Sequence, residues 1–203
     1  MKKYVITISR GYGSGGKTVA KALAAELGIK YYDRELIRKA SEDSGINEAL
    51  FNLADETHKG RLFHRYNSQE IASPDSSDFL SRENLFNLQA KIIRELHDKE
   101  APCIIVGRCA HYVLRDQRDV VKVFVYADMQ QCIERVKEHD GVEADQARRM
   151  IEKIDKERAQ YNKYFTGREW NDARNYDLCL NTSVVSIEQC VRIIKEYIRI
   201  VEE

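Results

Sequence analysis

The chain has 203 residues, enough for one domain with a sizeable core and too few for two full ones. Lys plus Arg and Asp plus Glu number 33 each, so no overall basic field marks a nucleic-acid binder. The five cysteines form no C-x-x-C pair, no apolar run approaches membrane-span length, and Met1 leads straight into the first predicted strand. A reduced, cytoplasmic protein with no membrane or nucleic-acid partner is expected, its oligomeric state left open.

The first predicted strand, Tyr4 to Ser9, carries the β-branched Val5, Ile6 and Ile8. It runs into Gly11-Tyr12-Gly13-Ser14-Gly15-Gly16-Lys17-Thr18, which fills the pattern G-x-x-x-x-G-K-[ST] without a mismatch. A predicted helix follows from Gly16 to Leu27, with Val19, Ala20, Leu23, Ala24 and Leu27 on one face. Strand, glycine loop and helix N-terminus together make a phosphate cradle, because glycines let successive N–H groups turn toward one anion. Gly11, Gly13, Ser14, Gly15, Gly16, Lys17 and Thr18 are therefore expected to bind ATP, with Lys17 on the β- and γ-phosphates and Thr18 on the bridging Mg²⁺. Charge supports this placement: residues 1–40 hold nine Lys or Arg against three acids, whereas residues 41–56 hold five acids and no Lys or Arg.

Lys30 to Tyr32 reads as a short strand and Arg34 to about Asp43 as a helix. Residues 45–80 show few regular apolar spacings and suit either a mobile segment over a site or a surface excursion. Regularity returns with a helix over Arg82 to Lys99, a strand over Cys103 to Val106, a strand over Val120 to Tyr126 and a helix over Met129 to His139. A long helix over Glu143 to Lys163, a strand over Leu178 to Leu180 and a helix over Ile187 to Val201 complete the pattern. Cys103, Cys132, Cys179 and Cys190 fall inside these elements and read as small core residues. Strands separated by helices predict a parallel sheet covered on both faces, with ligands at the carboxyl ends of its strands.

Arg108 follows the third strand and should emerge at the same sheet edge as the glycine loop, where a guanidinium can hold an acceptor phosphate. On the long helix, Arg149, Lys153 and Lys156 form a basic stripe, while Asp155 and Arg158 become candidates for a lid that brings arginine onto the transferring phosphate. Arg168 is a weaker candidate.

The sequence resembles the cytidylate kinases, and more closely the proteins called cytidylate kinase-like. The resemblance is carried by Ile6-Thr7-Ile8-Ser9-Arg10-Gly11, Leu27-Gly28-Ile29-Lys30-Tyr31-Tyr32-Asp33, Gly107-Arg108, Asp155-Lys156-Glu157-Arg158 and Leu180-Asn181-Thr182-Ser183. It implies an α/β P-loop NTPase three-layer sandwich with a five-stranded parallel sheet and a mobile lid. One domain would span 1–203, with an acceptor-side helical insertion within 34–100 and a lid at 140–170. It further implies a kinase moving the γ-phosphoryl of ATP onto a nucleoside monophosphate, best guess CMP or dCMP. Lys17, Arg108 and Arg158 would be catalytic, and Asp33, Arg38, Arg108 and Asp155 would bind the acceptor. The chain departs from the family pattern in Cys109, where a cytosine-reading Asp is usual, in Ile151, where a further lid Arg is usual, and in Arg38, one residue short of its expected place, which Lys39 fills. A kinase for another small metabolite and a nucleotide-binding regulatory module without turnover stand as alternatives.

Overall fold

The computed structural model describes residues 4–33, 35–51 and 70–203. In chain order the elements are β1 (Val5–Arg10), α1 (Gly16–Leu27), β2 (Lys30–Tyr32), α2 (Glu35–Ser44), α3 (Arg82–Glu100), β3 (Cys103–Val106) and α4 (Ala110–Val113). They continue with β4 (Val120–Tyr126), α5 (Met129–Asp140), α6 (Ala144–Thr166), a 3₁₀ turn (Ala173–Asn175), β5 (Leu178–Asn181) and α7 (Ile187–Glu202). The five strands are all parallel in the order β2-β3-β1-β4-β5, the P-loop three-layer fold that the sequence predicts.

The central strands are apolar on both faces because helices cover both. On one face Val5, Cys103 and Ile105 meet Leu36 and Ile37 of α2 and Leu88, Ile92 and Ile93 of α3. On the other, Ile6, Ile8, Ile104 and Val123 meet Val19 and Leu23 of α1 and Val191 and Ile194 of α7. Each fully buried Ile or Leu contributes about 1.5–3 kcal/mol, so this two-sided core fixes which strand ends lie side by side. Register does the rest: Val5 pairs Cys103 and Ile8 pairs Val106, after which Gly107 N–H donates to Ile8 O (3.0 Å). The loops after β1 and β3 thus open into one crevice, at the reversal of strand order where α/β sheets take ligands.

Local chemistry sets the helix ends. Gly15 and Gly28 both take left-handed conformations at the two ends of α1, and the Gly28 N–H closes the helix on Ala24 O. Ser81 caps α3 by accepting from Asn84 N–H, and Ser186 with Gln189 forms a capping box on α7.

Two differences from the sequence reading have simple physical causes. Cys179 is exposed: β5 is an edge strand, and the alternation that turns Leu180 into the core turns Cys179 away from it. The short α4 has too few residues to leave a periodic signal. Of the irregular 45–80 stretch, Ile46 and Phe51 are core residues; residues 52–69, most of the suggested cover, lie outside the described residues, as does Arg34.

A histidine ties α3 to β4. His97 contacts Asp98 Oδ1 (2.9 Å) and Asp119 Oδ1 (3.0 Å). Burial lowers its pKa, but hydrogen bonds to the two carboxylates outweigh that effect and the net shift is upward. A folded-state pKa above the unfolded value makes the tie fully stabilising below about pH 6.5 and lost as pH rises through the folded pKa. His97→Gln should therefore lower Tm more at about pH 6 than at about pH 9 in thermal unfolding, and equal losses at both would contradict this.

Candidate active site

The glycine loop has the geometry of an anion cradle. Gly13 and Gly15 have φ of 74° and 78°, in the left-handed region that glycine alone enters freely. A Cβ on Gly13 would lie 2.7 Å from Cys132 O, and one on Gly16 would lie 2.5 Å from Arg10 Cβ, so the loop backbone packs directly on its neighbours. Ser14 is fully buried and its Oγ accepts from Gly16 N–H (3.3 Å). Lys17 and Thr18, on the first turn of α1, are exposed toward the crevice mouth.

Across the crevice Asp33, just after β2, takes the Lys17 ammonium at 2.8 Å and the Arg10 guanidinium at 3.6 Å. Burial would raise the Asp33 carboxyl, but the hydrogen bond from Lys17 and the charge of Arg10 outweigh it and hold the pKa below the usual aspartate value. Asp155 on α6 accepts from Tyr12 N–H (2.8 Å) and from Arg158 Nη1 (3.2 Å), while the same Nη1 donates to Arg10 O (3.0 Å). Burial raises the Asp155 carboxyl against both of these partners. Burial also lowers Arg158 to about 10, with the Arg10 charge adding to the effect and Asp155 opposing it.

Arg108 is placed by an unusual turn. Gly107, Arg108 and Cys109 have φ of 78°, 54° and 53°, three left-handed residues in succession between β3 and α4. The two non-glycine residues cost on the order of 1–2 kcal/mol each, a strain that concentrates at functional sites. The Arg10 guanidinium lies where a Cβ on Gly107 would point, so any side chain there would displace Arg10 from its place in the crevice. Burial lowers the Arg108 pKa, with Tyr161 and Asp33 opposing and Arg10 adding to the shift.

Arg10, Lys17, Arg108 and Arg158 therefore converge at the ends of β1 and β3 with Asp33 and Asp155 as counter-ions. The excess of positive charge, held partly out of water, suits a ligand carrying several phosphates. Arg10 is the member that sequence reasoning missed, although it is the last residue of β1 and immediately precedes the loop. The described residues hold no cluster of metal-ligating side chains, so a cation here would rely on Thr18 and the ligand's own oxygens.

The remaining candidates sit elsewhere. Arg38 is exposed on α2 and pairs with Glu35 (3.2 Å) and Glu42 (2.5 Å) of its own helix. Arg149, Lys153 and Lys156 are exposed along α6, and Lys153 contacts Glu157. Ile151 packs with Cys132, Ile133 and Val136 of α5, so its position faces a hydrophobic seam where an arginine would be buried. Cys109 packs against Phe86, Tyr161 and Phe165; burial pushes its thiol up to about 12, and Sγ donates to Asn162 Oδ1 (3.7 Å).

A P-loop on this sheet order, with a lysine, three arginines and two carboxylates at one crevice, defines a nucleotide-binding protein of the P-loop class. Among solved structures, one from Eubacterium ventriosum is 27% identical with a TM-score of 0.71, covering 97% of this chain and 99% of its own. A shikimate kinase from Bacteroides thetaiotaomicron shares the fold at 15% identity, with a TM-score of 0.56 and coverage of 98% and 99%. The sequence model of the cytidylate kinase-like family matches residues 5–184, and the chain belongs to that family. Curated relatives include a cytidylate kinase from Methanopyrus kandleri, 28% identical over 94% of this chain and 91% of its own. Another is a cytidylate kinase from Pyrococcus horikoshii, 26% identical over 95% and 87%.

Proposed function

We propose that this chain transfers the γ-phosphoryl group of ATP to a nucleoside monophosphate, with CMP or dCMP as the leading acceptor. The observation that carries the reading is the 2.8 Å contact between Lys17 of the cradle and Asp33 after β2. It brings the donor-phosphate lysine and an acceptor-side carboxylate to one point, with Arg10 beside them. The cytidylate kinases among the relatives support the choice of acceptor.

In this mechanism Gly11, Gly13, Ser14, Gly15 and Gly16 cradle the triphosphate and Lys17 exchanges Asp33 for the β- and γ-phosphates. The loop and Thr18 fit a magnesium nucleotide, whose Mg²⁺ would neutralise charge between the phosphates. Arg108 orients the acceptor phosphate so that its oxygen attacks the γ-phosphorus in line, forming one P–O bond as the bond to ADP breaks. Arg158 stabilises the charge spread over the moving group. Asp33 borders the acceptor, Asp155 lies toward its ribose, and Arg38 joins the acceptor side by leaving Glu35 and Glu42. Residues 34–100 supply the acceptor side of a domain spanning 1–203. Residues 140–170 act as the lid, whose closure excludes water so that hydrolysis does not compete. The reaction needs neither nucleic acid nor membrane, and no described helix is long and apolar enough to cross one; the cytoplasm is the compartment proposed.

Base selection is taken at Cys109, where the family pattern that the sequence resembles carries an Asp. A protonated, buried thiol at Cys109 is a poor acceptor for the exocyclic amine of cytosine, so discrimination between CMP and UMP at this position should be weak. The test is kcat/KM for CMP, dCMP, UMP and AMP in wild type and Cys109→Asp. Aspartate tolerates the left-handed backbone there and should raise the CMP-over-UMP ratio by about tenfold or more. A strong wild-type CMP preference unchanged by the substitution would move base reading to another residue, and no turnover of any monophosphate would overturn the acceptor class.

A further inference from the structure

The P-loop is held from behind as well as lined from in front. Arg135 on α5 donates through Nη1 to Gly13 O (3.3 Å) and to Thr182 Oγ1 (2.8 Å), and through Nη2 to Thr182 O (3.0 Å). Thr182, directly after β5, is buried and its own hydroxyl donates a hydrogen bond to Ser14 O (2.6 Å). Its N–H is fixed in turn on Tyr126 O (2.9 Å) at the end of β4. Two successive carbonyls of the cradle, Gly13 and Ser14, are thus drawn outward by one guanidinium and one hydroxyl that also bond to each other.

The peptide group is planar and trans, so a carbonyl pulled to one side turns the following N–H to the other. Holding Ser14 O on Thr182 therefore turns the Gly15 N–H into the loop, where a phosphate oxygen would accept it. Gly15 has φ of 78° and is free to rotate without such a restraint. The geometry assigns Arg135 and Thr182 as positioning residues for the phosphate cradle, acting on the triphosphate only through the Gly13 and Ser14 carbonyls. This inference rests on the phosphoryl-transfer reading above and deepens it. It also gives the Leu180-Asn181-Thr182-Ser183 segment a task at the donor site, although Thr182 lies 168 residues from Ser14 in sequence.

The test compares wild type with Thr182→Val, Thr182→Ser and Arg135→Lys, measuring ADP and inorganic tripolyphosphate binding by calorimetry alongside Tm and the KM for the monophosphate. Thr182→Val matches the shape and removes the donor, so both ligands should bind about tenfold more weakly. Thr182→Ser keeps the hydroxyl and should retain wild-type binding. Arg135→Lys keeps the charge but loses the two-pronged geometry, and should weaken both ligands to a similar degree. The KM for the monophosphate should stay within about twofold, and Tm within a few degrees.

Unchanged binding in Thr182→Val and Arg135→Lys would overturn the assignment, as would weakened ADP binding with tripolyphosphate unaffected, since that pattern belongs to a nucleoside contact. Should Thr182→Val fail to fold, Arg135→Lys and Thr182→Ser decide by the same comparison. A wild-type chain that binds neither ligand would overturn the phosphoryl-transfer reading itself, whereas wild-type binding with unaffected variants overturns the positioning role alone.

Discussion

Lys17→Ala should yield a folded protein that no longer transfers phosphate. The lysine places its charge where negative charge moves during transfer, and removing one preorganised group of this kind costs about 10²–10³-fold in kcat. Its contribution to folding is small because its side chain is half exposed. Exposed ion pairs are worth about 0–1 kcal/mol, which for a chain of this size is a Tm change of about 2–4 °C at most. Asp33 also keeps Arg10 at 3.6 Å after the substitution, so no carboxylate is stranded. Steady-state kinetics and a melting curve without ATP check both halves. Retained turnover, or a loss of activity matched by a large loss of Tm, would remove Lys17 from the catalytic group.

Arg158→Ala should depress kcat by about 10³-fold while changing the KM for ATP much less, as expected of an arginine acting on the transition state. In the structure Arg158 Nη1 bonds to Arg10 O and to Asp155, contacts that hold the side chain beside the cradle before transfer. Asp155 retains Tyr12 N–H as a donor in the variant, which keeps α6 docked on the loop. Arg158→Lys should recover little, because a compact ammonium does not present the planar, delocalised guanidinium face to the oxygens of the moving phosphoryl group. An effect confined to the KM for ATP would make Arg158 a ground-state contact instead.

The parts of this site legible in the sequence are those whose chemistry is local. The cradle is eight consecutive residues, and each central strand is a short apolar run, so both can be read without knowing what packs beside them. Arg108 was also legible, because a residue just after a buried strand emerges at a defined sheet edge. Arg10 was not, since its importance comes from the β1–β3 pairing that lays its guanidinium over Gly107. Arg135 and Thr182 are 47 residues apart and meet the loop only once the sheet has closed. Ile151 shows the converse: a hydrophobic residue on a helix rich in charge becomes intelligible when α5 is seen packed against it. The alternation of β5 that exposes Cys179 depends on its being an edge strand, a property of strand order that spacing alone does not encode.

The most direct test of phosphoryl transfer to a nucleotide is the wild-type monophosphate panel read as products. Purified protein with ATP and Mg²⁺ should form ADP and CDP in equal amounts when CMP is supplied, with ADP formation falling to a small fraction of that rate when water is the only acceptor. ADP formed at the same rate with and without any monophosphate, or no ADP formed at all, would contradict it.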